Sequence, residues 1–214
     1  RCAMRARPTG DGERGRAMDW PDGRQRCRWA NPKNERYVRY HDEEWGVPLH
    51  DDGRLFELLV LECFQPGLSW ECVLNKREAF RRAFDNFDLE AVCAYDEAKC
   101  RALLADPGII RNERKIRAAV GNARVFRQIR QACGSFAAYL WGWTDGRVLH
   151  ECGATRSPLS DAVSRDLTRR GMRFTGTVVV YSFLQAAGVI SSHEPGCFLA
   201  QPAAGAPPGG RPGR

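Results

Sequence analysis

Ten consecutive residues, Leu55–Phe64 (LFELLVLECF), are apolar on nearly every side of a helix. A helix with no polar face must be covered all round, so the rest of the chain has to wrap it. The same run carries Glu62, which follows Leu55, Leu58 and Leu59 at seven, four and three residues and therefore shares their face. A carboxylate there must be paired, protonated or functional. A buried Glu paired with an Arg is the common case, and a ligand-binding Glu is the sharper one.

The neighbouring segments also read as helices. Asp51-Asp52 cap a helix running to about Gln65, and Pro66-Gly67 breaks it. Ser69 opens another through Phe84, and short helices fit Leu89–Ala94 and Asp96–Leu104. Asp106-Pro107-Gly108 is a turn, followed by a long amphipathic helix from Asn112 to Ala132. Ser157-Pro158 supplies an N-cap and a Pro at the first helical position, for a helix ending near Gly171. Thr177–Tyr181 (TVVVY) has strand propensity. It lies, however, in an uninterrupted stretch of helical length from Gly176 to Gly188, which decides for helix. The expected class is all-α, in one folded unit over 27–200.

The segment 1–26 holds seven Arg, four acids and few large apolar residues, and is expected to be a disordered arm. Acids interrupt it and no apolar stretch follows, so it does not read as a transit peptide, and Met18 is an alternative start. The Pro/Gly-rich segment 201–214 is expected to be a disordered tail. The arm and the two Arg of the tail carry five of the seven net positive charges. The folded unit is thus nearly neutral, and any argument for a polyanionic partner has to be local. The longest purely apolar run is about Leu58–Leu61, so no membrane span is expected, and the expected location is the cytoplasm. Nine cysteines at irregular spacing, with no leader read ahead of them, point to reduced thiols and a metal site rather than a disulfide framework.

Three groups of residues carry chemistry. Tyr37, His41 and Trp45 recur every four residues, with Tyr40 offset and Trp29 just upstream. Aromatic stripes are usually core. Joined to a carboxylate on an apolar face, however, and to Trp70 past the helix break, they suit a flat cationic ring. Secondly, His193 and Cys197 stand one short turn apart, and Cys27 and His41 are the natural second pair. Two Cys and two His form a closed tetrahedral set, the structural kind of zinc site, which would pin the start of the fold to its end. Thirdly, the helix–turn–basic-helix stretch Leu103–Ile116 can aim backbone N–H groups near Gly108 at a phosphate, with Arg111, Arg114 and Lys115 adding charge.

Taken in order, these strings resemble the DNA-3-methyladenine glycosylase I family. The resemblance rests on Cys27-Arg28-Trp29 with Tyr37–Pro48 (YVRYHDEEWGVP), and on Leu61-Glu62 through Gln65–Trp70 (QPGLSW). It continues in Gly108–Arg111 with Lys115-Ile116 and Gly121–Ala123, and in Phe174–Thr177, Tyr181–Ala186 and His193…Cys197. It departs at Glu35-Arg36, where a Pro-Leu pair is expected, and at Cys63-Phe64. The resemblance implies an all-helical, helix–hairpin–helix glycosylase fold with one structural Zn2+ on Cys27, His41, His193 and Cys197, joining the chain ends. It implies excision of 3-methyladenine from double-stranded alkylated DNA by a bacterial, monomeric enzyme. Glu62 and Trp70 would read the flipped base, with Tyr37, Tyr40, Trp29 and Trp45 around them. Related helix–hairpin–helix glycosylases carry a catalytic Asp beyond the hairpin, yet no acid occurs here between Glu113 and Asp145. The expected mechanism is therefore capture of a cationic base against Glu62, without a lyase step. Lys115 is the sole Lys near the hairpin and is expected on a phosphate.

Overall fold

The structure is a computed structural model and describes residues 20–200. The arm up to residue 19 and the tail 201–214 lie outside the described residues. The fold itself begins earlier than the expected boundary at 27. Trp20 is buried and Arg26 is packed against it, so the segment 20–26 is part of the folded unit rather than of the arm.

Ten α-helices make up the described chain: α1 Glu35–Glu43, α2 Asp52–Phe64, α3 Trp70–Asn75, α4 Arg77–Ala83, α5 Leu89–Cys93, α6 Glu97–Ala105, α7 Glu113–Cys133, α8 Phe136–Gly142, α9 Pro158–Arg169 and α10 Thr177–Ala186. The helix expected from Ser69 to Phe84 is two helices, broken at Lys76. The segment Thr177–Ala186 is helical, because burial in a long uninterrupted stretch outweighs the β-propensity of three valines. The class is not purely α. A two-residue parallel pair, β1 Leu149–His150 and β2 Ile190–Ser191, joins the loop after α8 to the chain leaving α10.

Helix α2 is the axis of the molecule. Every residue from Leu55 to Phe64 is buried, as its lack of a polar face requires. Asp51 caps its start, accepting from the Arg54 N–H at 2.8 Å. Asp52, one residue on, accepts the N–H groups of Phe136 and Ala137 at 2.9 Å each and so caps α8 as well. Helices α7, α8 and α10 pack around α2. The contacts are largely aromatic: Phe56 meets Phe126 edge-on at 5.2 Å, and Phe126 stacks on Phe136 at 3.9 Å. Each such fully buried side chain is worth about 1.5–3 kcal/mol.

Two close approaches away from the cavity and the cluster involve glycine. Gly188 follows α10 with φ +71°, and a Cβ there would lie 2.4 Å from the Val47 carbonyl carbon. The absent side chain lets the end of α10 lie against the segment after α1, where Leu49 N–H bonds Ala187 O at 3.1 Å. Gly108, between α6 and α7, has a different reason. A Cβ on it would meet the Ala79 Cβ of α4 at 3.1 Å.

Candidate active site and metal cluster

Helix α2 buries two glutamates, and their surroundings differ completely. Glu57 receives Arg77 Nε at 2.7 Å and Arg81 Nε at 2.8 Å. Burial pushes its carboxyl up, but the two guanidinium groups hold it below the usual carboxylate range. Arg77 also reaches Glu44 at 2.7 Å, locking the end of α1 to α2 and α4. The ordinary reading of a buried Glu therefore belongs to Glu57. Glu62 is 3% exposed, and its Oε2 has no hydrogen-bond partner. Burial alone pushes its carboxyl up to about 8.

Glu62 faces a cavity of about 790 Å3 whose walls include Trp29, Tyr37, Tyr40, Trp45 and Trp70. Trp29 stands edge-on to Trp45 at 4.9 Å and tilted to Tyr37 at 5.3 Å, while Tyr40 is 5.5 Å from Trp70. Tyr40 Oη and Trp70 Nε1 are buried without partners too. A carboxyl, a hydroxyl and an N–H are thus all unsatisfied around one aromatic cavity. Buried polar atoms are rarely left so, and three together are what a polar flat ligand would satisfy. Burial holds the Tyr40 phenol well above its ordinary range, so it acts as a hydroxyl.

Local structure explains the placement. Asn34 caps α1, and Asn31 and Asn34 both donate to Glu71 Oε1 at 2.9 and 2.7 Å. These bonds tie the loop carrying Trp29 to α3, which carries Trp70. The stripe Tyr37–His41–Trp45 does not remain one helical face. Helix α1 stops at Glu43, so Trp45 leaves the helix and its ring lies over His41 at 6.4 Å. Tyr37 and Tyr40 turn to the cavity, and His41 turns away from it.

His41 meets Cys27, His193 and Cys197, with one donor atom from each of the four within 4.8 Å of all the others. Cys197 Sγ lies 3.5 Å from His41 Nε2 and 3.6 Å from His193 Nδ1, and Cys27 Sγ lies 3.6 Å from His193 Nδ1. Such a group can hold a metal ion. Burial keeps both imidazoles below their ordinary range, with His193 pushed down to about 4, so both are in the neutral form a metal requires. His41 Nδ1 bonds Asp42 Oδ1 at 2.8 Å, which leaves Nε2 facing the cluster. Gly46 is needed beside His193, because a Cβ there would come within 3.0 Å of Nε2.

A family model described as methyladenine glycosylase matches residues 29–200. The chain belongs to the methyladenine glycosylase family. It is 42% identical to DNA-3-methyladenine glycosylase 1 of Escherichia coli (strain K12), over 81% of this chain and 95% of that protein. It is 33% identical to the DNA-3-methyladenine glycosylase of Haemophilus influenzae, over 80% and 96%. Among solved structures, 3-methyladenine DNA glycosylase I superposes with a TM-score of 0.79 at 41% identity, covering 83% of this chain and all of that one. A single-residue variant of a 3-methyladenine DNA glycosylase I, in complex with 3-methyladenine, gives 0.78 at 35% identity, covering 81% and 96%.

The residues between α6 and α7 and at the start of α7 divide. Arg111 and Arg114 are exposed, and no ion pair engages them among the described residues. The Gly108 N–H is already taken by Asp106 Oδ1 at 2.7 Å, so Gly108 serves the turn and the packing on Ala79. Lys115 corrects the sequence reading. It is 7% exposed, and its ammonium donates to Phe64 O and Pro66 O at 2.7 Å each. Carbonyls at a helix end lack intrahelical donors, so Lys115 caps the end of α2 and the turn after it. Lys115→Met is expected to lower stability by about 1–3 kcal/mol in denaturant unfolding, with the salt dependence of DNA binding unchanged. Residues that sequence reasoning left without a role also reach the cavity, among them Gln65, Ser182 and Gln185. Two of the three lie in the YSFLQA string, and only the alternation of faces on a helix could have marked them.

Proposed function

We propose that this chain excises 3-methyladenine from alkylated double-stranded DNA by hydrolysing the N-glycosidic bond and leaving an abasic site. The observation that carries the reading is the unpartnered, buried carboxyl of Glu62 in an aromatic cavity. Family membership and the named activity of the relatives support it.

A stacked base is out of reach, so the damaged nucleotide must leave the helix, at a cost of roughly a few kcal/mol. Methylation at N3 makes the base cationic and weakens its bond to the sugar. The base departs with the bonding electron pair and becomes neutral, so no acid is needed to protonate it. The cavity contributes capture. Aromatic faces hold the flat cation, Glu62 supplies the opposing charge and accepts its N–H hydrogens, and Tyr40 Oη and Trp70 Nε1 complete the polar contacts. Water adds its oxygen to the sugar carbon as the neutral base leaves, and its proton passes to the solvent, with Glu62 orienting the base. Incubating methylated DNA with the chain and identifying the free bases tests this reading.

The metal cluster is proposed as one structural Zn2+ on Cys27, His41, His193 and Cys197. Zinc bonds of about 2.3 Å to sulfur and 2.0–2.1 Å to nitrogen give a tetrahedral S···N edge of about 3.6 Å, and the distances in the cluster fit it. Four protein ligands leave no position for water, so the ion's part is structural. It neutralises two buried thiolates and joins the first turns of the fold to the last.

The helix–hairpin–helix stretch is proposed to grip the DNA backbone through Arg111 and Arg114. Replacing both with Ala is expected to lower the slope of log K against log salt by about two, roughly one per lost phosphate contact, uniformly across sequences. A binding titration at several salt concentrations measures it, and an unchanged slope removes these residues from the interface. The chain is proposed to act as a monomer. Among the described residues no helix is long and apolar enough to cross a membrane.

A further inference from the structure

The chain from Trp20 to Arg26 precedes the stretch that the family model matches, yet it is built into the fold. Trp20 is 7% exposed, and the Arg26 side chain is 5% exposed. The Arg26 guanidinium lies over the Trp20 ring at 4.5 Å and near the Phe198 ring at 5.4 Å. Its donors are all engaged. Nε reaches Asp42 Oδ1 at 2.8 Å and Oδ2 at 3.1 Å, and Nη2 reaches Asp42 Oδ2 at 2.7 Å. Nη1 and Nη2 reach the two Asp22 oxygens at 3.0 and 2.7 Å, and Nη1 bonds Arg24 O at 3.4 Å. Phe198 belongs to the other end of the fold and is itself fastened to this segment, since its N–H donates to Gln25 O at 2.8 Å.

Asp42 is the link to the cluster. The oxygen that bonds Arg26 Nε also bonds His41 Nδ1 at 2.8 Å. Were Asp42 free to turn, the imidazole of His41 would lose its fixed orientation toward Cys27, His193 and Cys197. The same ring is 5.1 Å from Trp29 and stacks under Trp45 at 6.4 Å, so a tilt there would also disturb two walls of the cavity.

We propose that Arg26 is a positioning residue for the metal cluster. Clamped between Trp20 and Phe198, it fixes Asp42, which aims His41 at the ion, and the segment Trp20–Arg26 thereby latches the cluster against metal loss. The proposal rests on the zinc reading above. It needs the planar fork of Arg, because two parallel bonds to one carboxylate and an aromatic stack on the same group are beyond a Lys ammonium.

The test uses the zinc-loaded full chain mixed with an excess of a chromophoric chelator, with the rate of zinc release as the readout. Arg26→Ala and Arg26→Lys are expected to release zinc about tenfold faster or more, whereas Trp20→Phe keeps the stack and releases at the wild-type rate. Arg26→Lys retains a cation at the position, and its thermal unfolding with zinc saturating is expected to stay close to wild type, which separates positioning from general loss of fold. Asp42→Asn is expected to speed release similarly, and the double variant Arg26→Ala with Asp42→Asn to add little further, because both act through one contact. Wild-type release rates in both Arg26 variants would overturn the proposal alone. A wild-type chain that takes up no zinc would overturn the metal reading and the proposal with it.

Discussion

Glu62→Gln is expected to cut the release of 3-methyladenine by about 10²–10³-fold while leaving the fold intact. The amide keeps the shape of the side chain and removes the charge that faces the cationic ring. Two further consequences follow from burial pushing the Glu62 carboxyl up to about 8. In the free enzyme the group is largely protonated at neutral pH, so kcat/KM in the wild type should rise with pH and level off near that value. The variant should lack this rise. The second consequence concerns stability. The folded chain holds a proton on Glu62 that the unfolded chain releases near 4.5, so between pH 4.5 and about 8 the folded state binds more protons. Stability then falls as pH rises through that window. Glu62→Gln escapes the loss and should be the more stable protein at pH 8, by about 2–4 kcal/mol, with the difference vanishing below pH 4.5. A residue whose replacement lowers activity yet raises stability is one kept for a ligand. A variant less stable than wild type at pH 8 would mean that Glu62 is a structural group like Glu57.

Cys197→Ser is the second large effect. In the proposed zinc site Cys197 is one of four ligands and stands near the end of the described chain, while Cys27 stands near its start. Its loss is expected to take bound zinc from about one per chain to none and to lower stability by several kcal/mol, on the order of 3–6. Metal analysis after dialysis measures the first, and thermal unfolding with and without chelator the second. Wild type should be destabilised by chelator and the variant should not respond. One zinc still held by Cys197→Ser would exclude the ligand set.

Much of this was legible in the sequence because it depends on local chemistry. The all-round apolar run at Leu55–Phe64 marks the central helix, and the caps read at Asp51 and Ser157 and the helix starts read at Asp96 and Asn112 recur in the structure. The cluster of Cys27, His41, His193 and Cys197 was reached by ligand chemistry and by resemblance, and long-range packing brings the four together. What local chemistry could not show is how buried groups share partners. Lys115 looks like a phosphate contact beside a hairpin. Only the tertiary fold reveals that the carbonyls of Phe64 and Pro66 lie within its reach. Trp20 and Arg26 look like part of a charged arm. Their burial depends on Phe198 and Asp42, which are remote in sequence. Nothing in the sequence marked which buried glutamate would be paired. Arg77 and Arg81, a helix away, settle it for Glu57 and leave Glu62 alone.

The central claim is that Glu62 and the surrounding rings form a pocket for a cationic damaged base. The most direct measurement is chromatography of the free bases released when the zinc-loaded chain is incubated with methylated double-stranded DNA, run in parallel with folded, zinc-loaded Glu62→Gln. Release of 3-methyladenine by the wild type, and loss of nearly all of it in the variant, is the predicted result. No released 3-methyladenine from the folded wild type, or equal release by the variant, would contradict it.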